Sequence, residues 1–261
     1  MRVKESIAEL RRICQYSREA DGTYHMSWWD RVIAVVAVYF TKLVLEIGLS
    51  ANQVSFISFV ITVIGGAFLI LPGPGYWLIG IALLGLSEVL AHVDGGVARY
   101  NKTASSKGAF CNAMPEQFFL IYTPICISFG LYSMFHNIYP FIFGFLGVTS
   151  ISLSNSAILL PYPILRDKGL LSEALGSNKL AQSEEHVSLV IKYGRFFSHY
   201  GSLLFAFLIS SIVDWFLSPF SIGPLSLNAR YIIFIFSTLL WLASAIRNIY
   251  LPLRGGVRLR L

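Results

Sequence analysis

Six apolar stretches, at about residues 52–72, 76–98, 108–134, 138–161, 197–218 and 230–250, constrain what this chain can fold into more than any other feature. Each is close to the ~20 residues an α-helix needs to cross a ~30 Å hydrocarbon core. Only 13% of the 261 residues are charged, 55% are hydrophobic and the mean hydropathy is +0.65, which excludes an ordinary water-soluble domain. The expected fold is all-α: a polytopic membrane protein of six transmembrane helices preceded by an N-terminal interfacial amphipathic helix. Pro161, Pro163 and Pro252 are expected to mark helix ends or kinks. The connections LPGPG, FHNIYP and SPFSIGPLSLN are short or rich in Pro and Gly, while residues 166–195 form the one long polar loop, with a surface helix expected around LLSEALG.

Ahead of the first span, Val3, Ile7, Leu10 and Cys14 recur at helical spacing among Arg2, Lys4, Arg11, Arg12 and Arg18. That pattern predicts a short basic amphipathic helix on the membrane surface. The segment lacks the continuous apolar core of a cleavable signal peptide. The next piece, WWDRVIAVVAVYFTKLVLEIG, is interrupted by Lys42 and Glu46 and reads as a second interfacial helix, with a true span as the weaker option. The chain thus divides into interfacial N-terminal helices (1–50), a six-helix transmembrane domain (51–254) and a short tail (255–261).

Charge sets the orientation. With the N-terminus in the cytoplasm, nineteen of the twenty Lys and Arg residues fall on the cytoplasmic side and only Arg230 falls outside. This positive-inside bias puts both termini of an integral, multi-pass protein in the cytoplasm. The net charge of +6 does not indicate nucleic acid, because the basic residues flank apolar runs; membrane lipids and phosphorylated substrates are the expected partners. Cys14, Cys111 and Cys126 have no metal-like spacing and are expected to pack.

Between the second and third spans lies DGGVARYNKTASSKGAFCNAMPE, from Asp94 to Glu116. In an antiparallel hairpin, residues equally far from the turn lie at equal depth, so Asp94 pairs with Asn112 and Ala91 with Glu116. Gly108, Asn112 and Glu116 are spaced i, i+4, i+8 and share a face, as do Ala91, Asp94, Gly95 and Ala98. Carboxylates within a span mark a site by default, and oxygen ligands from two helices suit Mg²⁺ or Mn²⁺, which in turn suits a phosphate. Gly95, Gly96 and Gly108 leave room for a ligand or a neighbouring backbone. The bland alternative is a tight hairpin with a basic turn.

This stretch resembles the signature of the CDP-alcohol phosphotransferase family, D-x2-D-G-x2-A-R-x8-G-x3-D-x3-D. Here Ala91, Asp94, Gly95, Ala98, Arg99, Gly108, Asn112 and Glu116 occupy the eight fixed places with every spacing kept. LSANQVSFISF resembles the family's approach to its first span, with Ala51 in place of a proline. The resemblance implies an enzyme of phospholipid synthesis in which an alcohol displaces CMP from a CDP-linked donor, one of the two substrates being a lipid. It implies metal binding by Asp94, Asn112 and Glu116, Glu116 as the base on the alcohol, and Gly95, Ala98, Arg99 and Gly108 bordering the nucleotide. The family carries four aspartates, whereas Ala91 offers no ligand and Asn112 only a neutral carbonyl, so one divalent cation fits better than two.

Other residues are secondary candidates. Glu88 lies one turn deeper than Ala91 and about 9 Å along the axis from Asp94. His92 points nearly opposite Asp94 and is expected to pack. Arg166 and Lys168 are candidates for a phosphate or headgroup. Ser150, Ser152, Ser154, Asn155 and Ser156 read as a packing stripe, and Asp214 as a solvated acid near the outer end of the fifth span. Small-residue helix faces suit a homodimer. Two further functions stand beside the enzyme: a catalytically silent relative that binds lipid or a partner enzyme, and a small ion or proton transporter using Glu88, Asp94 and Glu116.

Overall fold

In the computed structural model, which describes residues 5–15, 28–103, 106–159, 200–217, 219–222 and 225–254, the apolar stretches form helices. The described elements are α1 (Ile7–Cys14), α2 (Trp28–Ile47), α3 (Ala51–Ile70), α4 (Pro74–Tyr100), α5 (Ser106–Phe135), α6 (Tyr139–Leu159), α7 (Tyr200–Phe216) and α8 (Ala229–Arg254). β1 (Phe220–Ile222) and β2 (Leu225–Leu227) pair antiparallel, Phe220 opposite Leu227 and Ile222 opposite Leu225. This small hairpin, in the Pro/Gly-rich connection before α8, is the one departure from an all-helical fold among the described residues.

Local chemistry sets the helix ends. Ser6 and Glu9 form a capping box on α1, and Ser50 and Gln53 form another on α3, each satisfying amides that the first turn leaves without partners. Ala51 consequently sits at the first helical position, where a proline is also well accommodated. Gly48 adopts φ +84° at the end of α2, and its amide returns to the Val44 carbonyl at 3.0 Å, a left-handed stop that glycine makes without steric cost. Pro252 does not end α8, which continues to Arg254; a proline this close to the terminus disturbs only the last turn. α5 runs through Pro115 and Pro124.

Among the described residues, four helical segments are long and apolar enough to cross a membrane: Ala51–Ile70, Pro74–Tyr100, Gln117–Phe135 and Ala229–Ile246. They make this a membrane protein. Tyr139–Ser154 and Leu203–Phe216 are apolar but shorter. α2 is not among the four; its outward face (Val32, Val35, Val36, Tyr39, Leu43) is apolar and exposed while Ala34, Ala37, Val38 and Thr41 are buried. The loop at 166–195 and its surface helix lie outside the described residues.

α4 is packed by α1, α2, α3 and α7, and it passes through two separate apolar cores. Its N-terminal half contributes Trp77, Ile81 and Leu84 to a core shared with α3, α5, α7 and α8. Its C-terminal half contributes Leu90, Val93 and Val97 to a second core with Leu10 and Cys14 of α1 and Ala37 and Val38 of α2. α3 and α4 are in close backbone approach at Gly65 and Gly80, where a Cβ on Gly80 would lie 2.7 Å from the Gly65 carbonyl oxygen. Small residues permit such backbone contact between spans. One step along the same seam, the buried hydroxyls of Ser58, Thr62 and Ser87 bond one another, Ser58 to Ser87 at 2.9 Å and Thr62 to Ser87 at 2.5 Å.

Candidate functional site

Asp94 projects from the C-terminal half of α4 into the α3/α4 seam and is only 3% exposed. Its Oδ2 accepts a 2.5 Å hydrogen bond from the Ser55 hydroxyl of α3, the short length expected of a charge-assisted O–H···O⁻ contact. Its Oδ1 is buried and has no hydrogen-bond partner among the described residues. A buried carboxylate oxygen without a donor is costly, so such a group calls for a cation or a ligand proton. The sequence reading singled out Asp94 and did not single out Ser55. The same depth rule would have found it, since Ser55 is four residues into α3 and Asp94 five residues in from Arg99 on the antiparallel α4.

The glycines divide into two roles. Gly95 lies under the Arg99 guanidinium, where a Cβ would be 3.2 Å from Nη1 and 3.4 Å from Nη2. Gly96 is buried against the other helices; a Cβ there would meet Thr41 Oγ1 at 3.0 Å and Cys14 Cβ at 3.7 Å. Gly96 therefore serves helix packing and not the approach of a ligand. Arg99 donates from Nε to the Cys14 carbonyl at 2.5 Å, so the last residue of α1 touches the end of α4 that carries the signature. The thiol of Cys14 is pushed up from its ordinary pKa by burial, which outweighs the nearby Arg99 charge.

Ala98 and Ala91 are half-buried on α4, Ala91 presenting only a methyl group. Gly108, Asn112 and Glu116 all fall within α5, which keeps their i, i+4, i+8 register through Pro115. The side chains of Asn112 and Glu116, and Arg166 and Lys168 entirely, lie outside the described residues. Glu88 is half-buried, and His92 turns Nδ1 onto the Glu88 carbonyl of its own helix at 3.0 Å. Ser150 bonds back to Leu146 at 2.6 Å within α6, in keeping with a packing role. Among the described residues no group of three or more His, Cys, Asp and Glu is placed to hold a metal. Among the described residues the Asp94 oxygen without a partner is the kind of hard donor a divalent cation takes, and Ala91 beside it supplies none.

At the other end of α4, Asp214 corrects the sequence reading. It is not solvated: its side chain is 4% exposed and lies 2.6 Å from Arg230 Nε, whose side chain is 2% exposed. Its oxygens also accept from the amides of Ala229 at 2.7 Å and Arg230 at 3.2 Å, capping the start of α8. The Arg230 guanidinium rests 4.8 Å over the Trp77 ring, and its Nη1 has no hydrogen-bond partner among the described residues. The one basic residue assigned to the outer connections is thus a buried structural cation. The available signal was an acid near the end of one helix facing the first turn of the next across a short connection.

Together, fold and site define a helical membrane protein with a buried carboxylate near one end of α4, one oxygen of which has no hydrogen-bond partner among the described residues. No family model matches the chain, and no curated protein matches it.

Proposed function

We propose that the chain is a membrane phosphotransferase of the CDP-alcohol type, passing a substituted phosphate from a CDP-linked donor to an alcohol with release of CMP, one substrate being a lipid. The observation that supports it is Asp94, buried and held by Ser55 with its second oxygen open, inside a stretch that keeps every spacing of the family signature. Six spans with both termini cytoplasmic, α1 and α2 at the interface and the site at the cytoplasmic face follow from the distribution of Lys and Arg.

In this reading Asp94, Glu116 and Asn112 would hold a single Mg²⁺ or Mn²⁺. Such an ion would neutralise negative charge on the pyrophosphate. Glu116 accepts the proton of the attacking alcohol; the alcohol oxygen bonds to the distal phosphorus of the donor as the pyrophosphate bridge breaks, and CMP leaves with the bonding electron pair. Gly95, Ala98 and Gly108 border the nucleotide, Arg99 faces its phosphates, and Arg166 and Lys168 meet a phosphate or headgroup. The test is CMP release by the purified chain from CDP-linked alcohols and CDP-linked lipids with Mg²⁺ or Mn²⁺. Release that disappears on Asp94→Asn and Glu116→Gln supports the proposal, and no release with any donor defeats it.

A second reading is favoured by Ala91, whose methyl stands where the family has a ligand: a silent relative that binds lipid or a partner enzyme. It predicts that Ala91→Asp combined with Asn112→Asp confers CMP release or Mn²⁺ binding that the present chain lacks.

A further inference from the structure

α1 is eight residues long, too short to persist alone, yet it is tied into the molecule at four points. Leu10 and Cys14 are 0% and 2% exposed in the core between α2 and α4. Gln15 donates from Nε2 to the Ala34 carbonyl of α2 at 2.6 Å, and the Cys14 carbonyl receives Arg99 Nε at 2.5 Å. Gly96 supplies the clearance: any side chain there would press on Thr41 and Cys14. Cys14 ends its helix, so its carbonyl is one of the four that have no intrahelical amide and carries the negative end of the helix dipole. A guanidinium is a fitting partner. It gains in return a fixed plane, since Nε is committed to α1 while Nη1 and Nη2 lie over Gly95, one residue from Asp94.

From these contacts we infer that α1 is a strap that sets the aim of Arg99, holding the arginine fork over Gly95 so that it meets a phosphate of the CDP-linked donor. Cys14 is a positioning residue that acts through its backbone carbonyl. This inference rests on the function proposed above and adds to it a cytoplasmic-side element lying outside the signature. A free arginine side chain carries considerable rotamer entropy, and anchoring Nε from a separate helix removes much of that freedom before the nucleotide arrives.

The strap is tested with the full-length chain in nanodiscs of phosphatidylcholine and phosphatidylglycerol, with Cys111→Ser and Cys126→Ala leaving Cys14 as the single thiol. CDP with Mg²⁺ is the binding probe, and the rate of maleimide attachment to Cys14 reports whether α1 is docked. In the unaltered strap Cys14 reacts at least tenfold more slowly than a thiol placed on the exposed face of α1 by Ala8→Cys in a Cys14→Ala background. Leu10→Glu expels α1, accelerates Cys14 attachment at least tenfold and weakens CDP binding about tenfold, roughly the worth of one charge-assisted hydrogen bond. With a turning-over donor, KM rises by a similar factor while kcat stays within about twofold. Leu10→Met restores both properties, and Cys14→Ala leaves CDP binding intact because the carbonyl remains. Removal of residues 2–15 reproduces the Leu10→Glu loss if that variant expresses poorly. Fast attachment in the unaltered chain overturns the strap, as does a released α1 with unchanged CDP affinity. Failure of the unaltered chain to bind CDP at all defeats the functional proposal and the strap together.

Discussion

Two aspartates sit near opposite ends of α4, both nearly excluded from solvent, and only one resembles a site. Asp214 takes two backbone amides and an arginine, so both of its oxygens are satisfied and it ties α7 to the start of α8. Asp94 accepts from the Ser55 hydroxyl, and its other oxygen is buried with no hydrogen-bond partner among the described residues. Burial of a carboxylate within a membrane protein is thus a poor guide to function by itself. The informative quantity is how completely the surrounding residues satisfy it, because evolution of a purely structural acid removes the cost of the empty lone pairs.

The comparison is open to direct attack. The largest effect is expected from Arg230→Ala, which leaves Asp214 buried without its counter-charge and should destabilise the folded protein by about 3–5 kcal/mol, read as a fall in thermal unfolding temperature in detergent. Combining Asp214→Leu with Arg230→Met should recover most of that loss, and a persisting deficit would mean that the pair does more than hold the helices. Next comes Ser55→Ala, which removes the hydroxyl that donates to Asp94 Oδ2 and should cost about 1.5–3 kcal/mol in the absence of metal. Added Mg²⁺ should return part of it; a loss indifferent to Mg²⁺ would place Asp94 in the same structural class as Asp214. Asp94→Asn should shift the unfolding temperature least of the three, or raise it, since an amide keeps a Ser55 contact and removes an uncompensated charge. A drop as large as that of Arg230→Ala would erase the distinction.

The smallest effect lies at the α1 cap. Glu9 is held below the usual carboxylate range by its hydrogen bonds from the Ser6 amide and hydroxyl. A depressed pKa in the folded state stabilises above the unfolded value and is lost as pH falls through the folded one. Amide exchange in α1 should therefore quicken as pH drops below about 4, after correction for intrinsic rates, and Ser6→Ala should abolish that dependence.

Much of this was legible in the sequence, for identifiable reasons. The apolar runs of the four long helices were readable because runs of bilayer length admit few alternatives, whereas the capping boxes at Ser6 and Ser50 and the stop at Gly48, which set the boundaries of α1, α2 and α3, were not read from the sequence. Asp94 stood out because an acid inside an apolar span is costly and therefore rare. Ser55 did not, since a serine in a span is ordinary and only its depth relative to Asp94, thirty-nine residues away, gives it meaning. Asp214 and Arg230 were assigned to the outer surface because charge near a helix end usually reaches water. Their burial depends on Trp77, which roofs the guanidinium from a third helix and is invisible to any local pattern. The Cys14–Arg99 contact was likewise out of reach: it uses a backbone carbonyl, for which side-chain identity carries no signal.

The central claim is that Asp94 remains incompletely satisfied because it receives a ligand. Titration of the purified chain with Mn²⁺, followed by electron paramagnetic resonance of the free ion at neutral pH, addresses it without reference to turnover. One bound Mn²⁺ per chain, lost in Asp94→Asn and kept in a folded Asp214→Leu, Arg230→Met double variant, is the predicted result. Equal Mn²⁺ binding with and without the Asp94 carboxylate, or none in either protein, would contradict it.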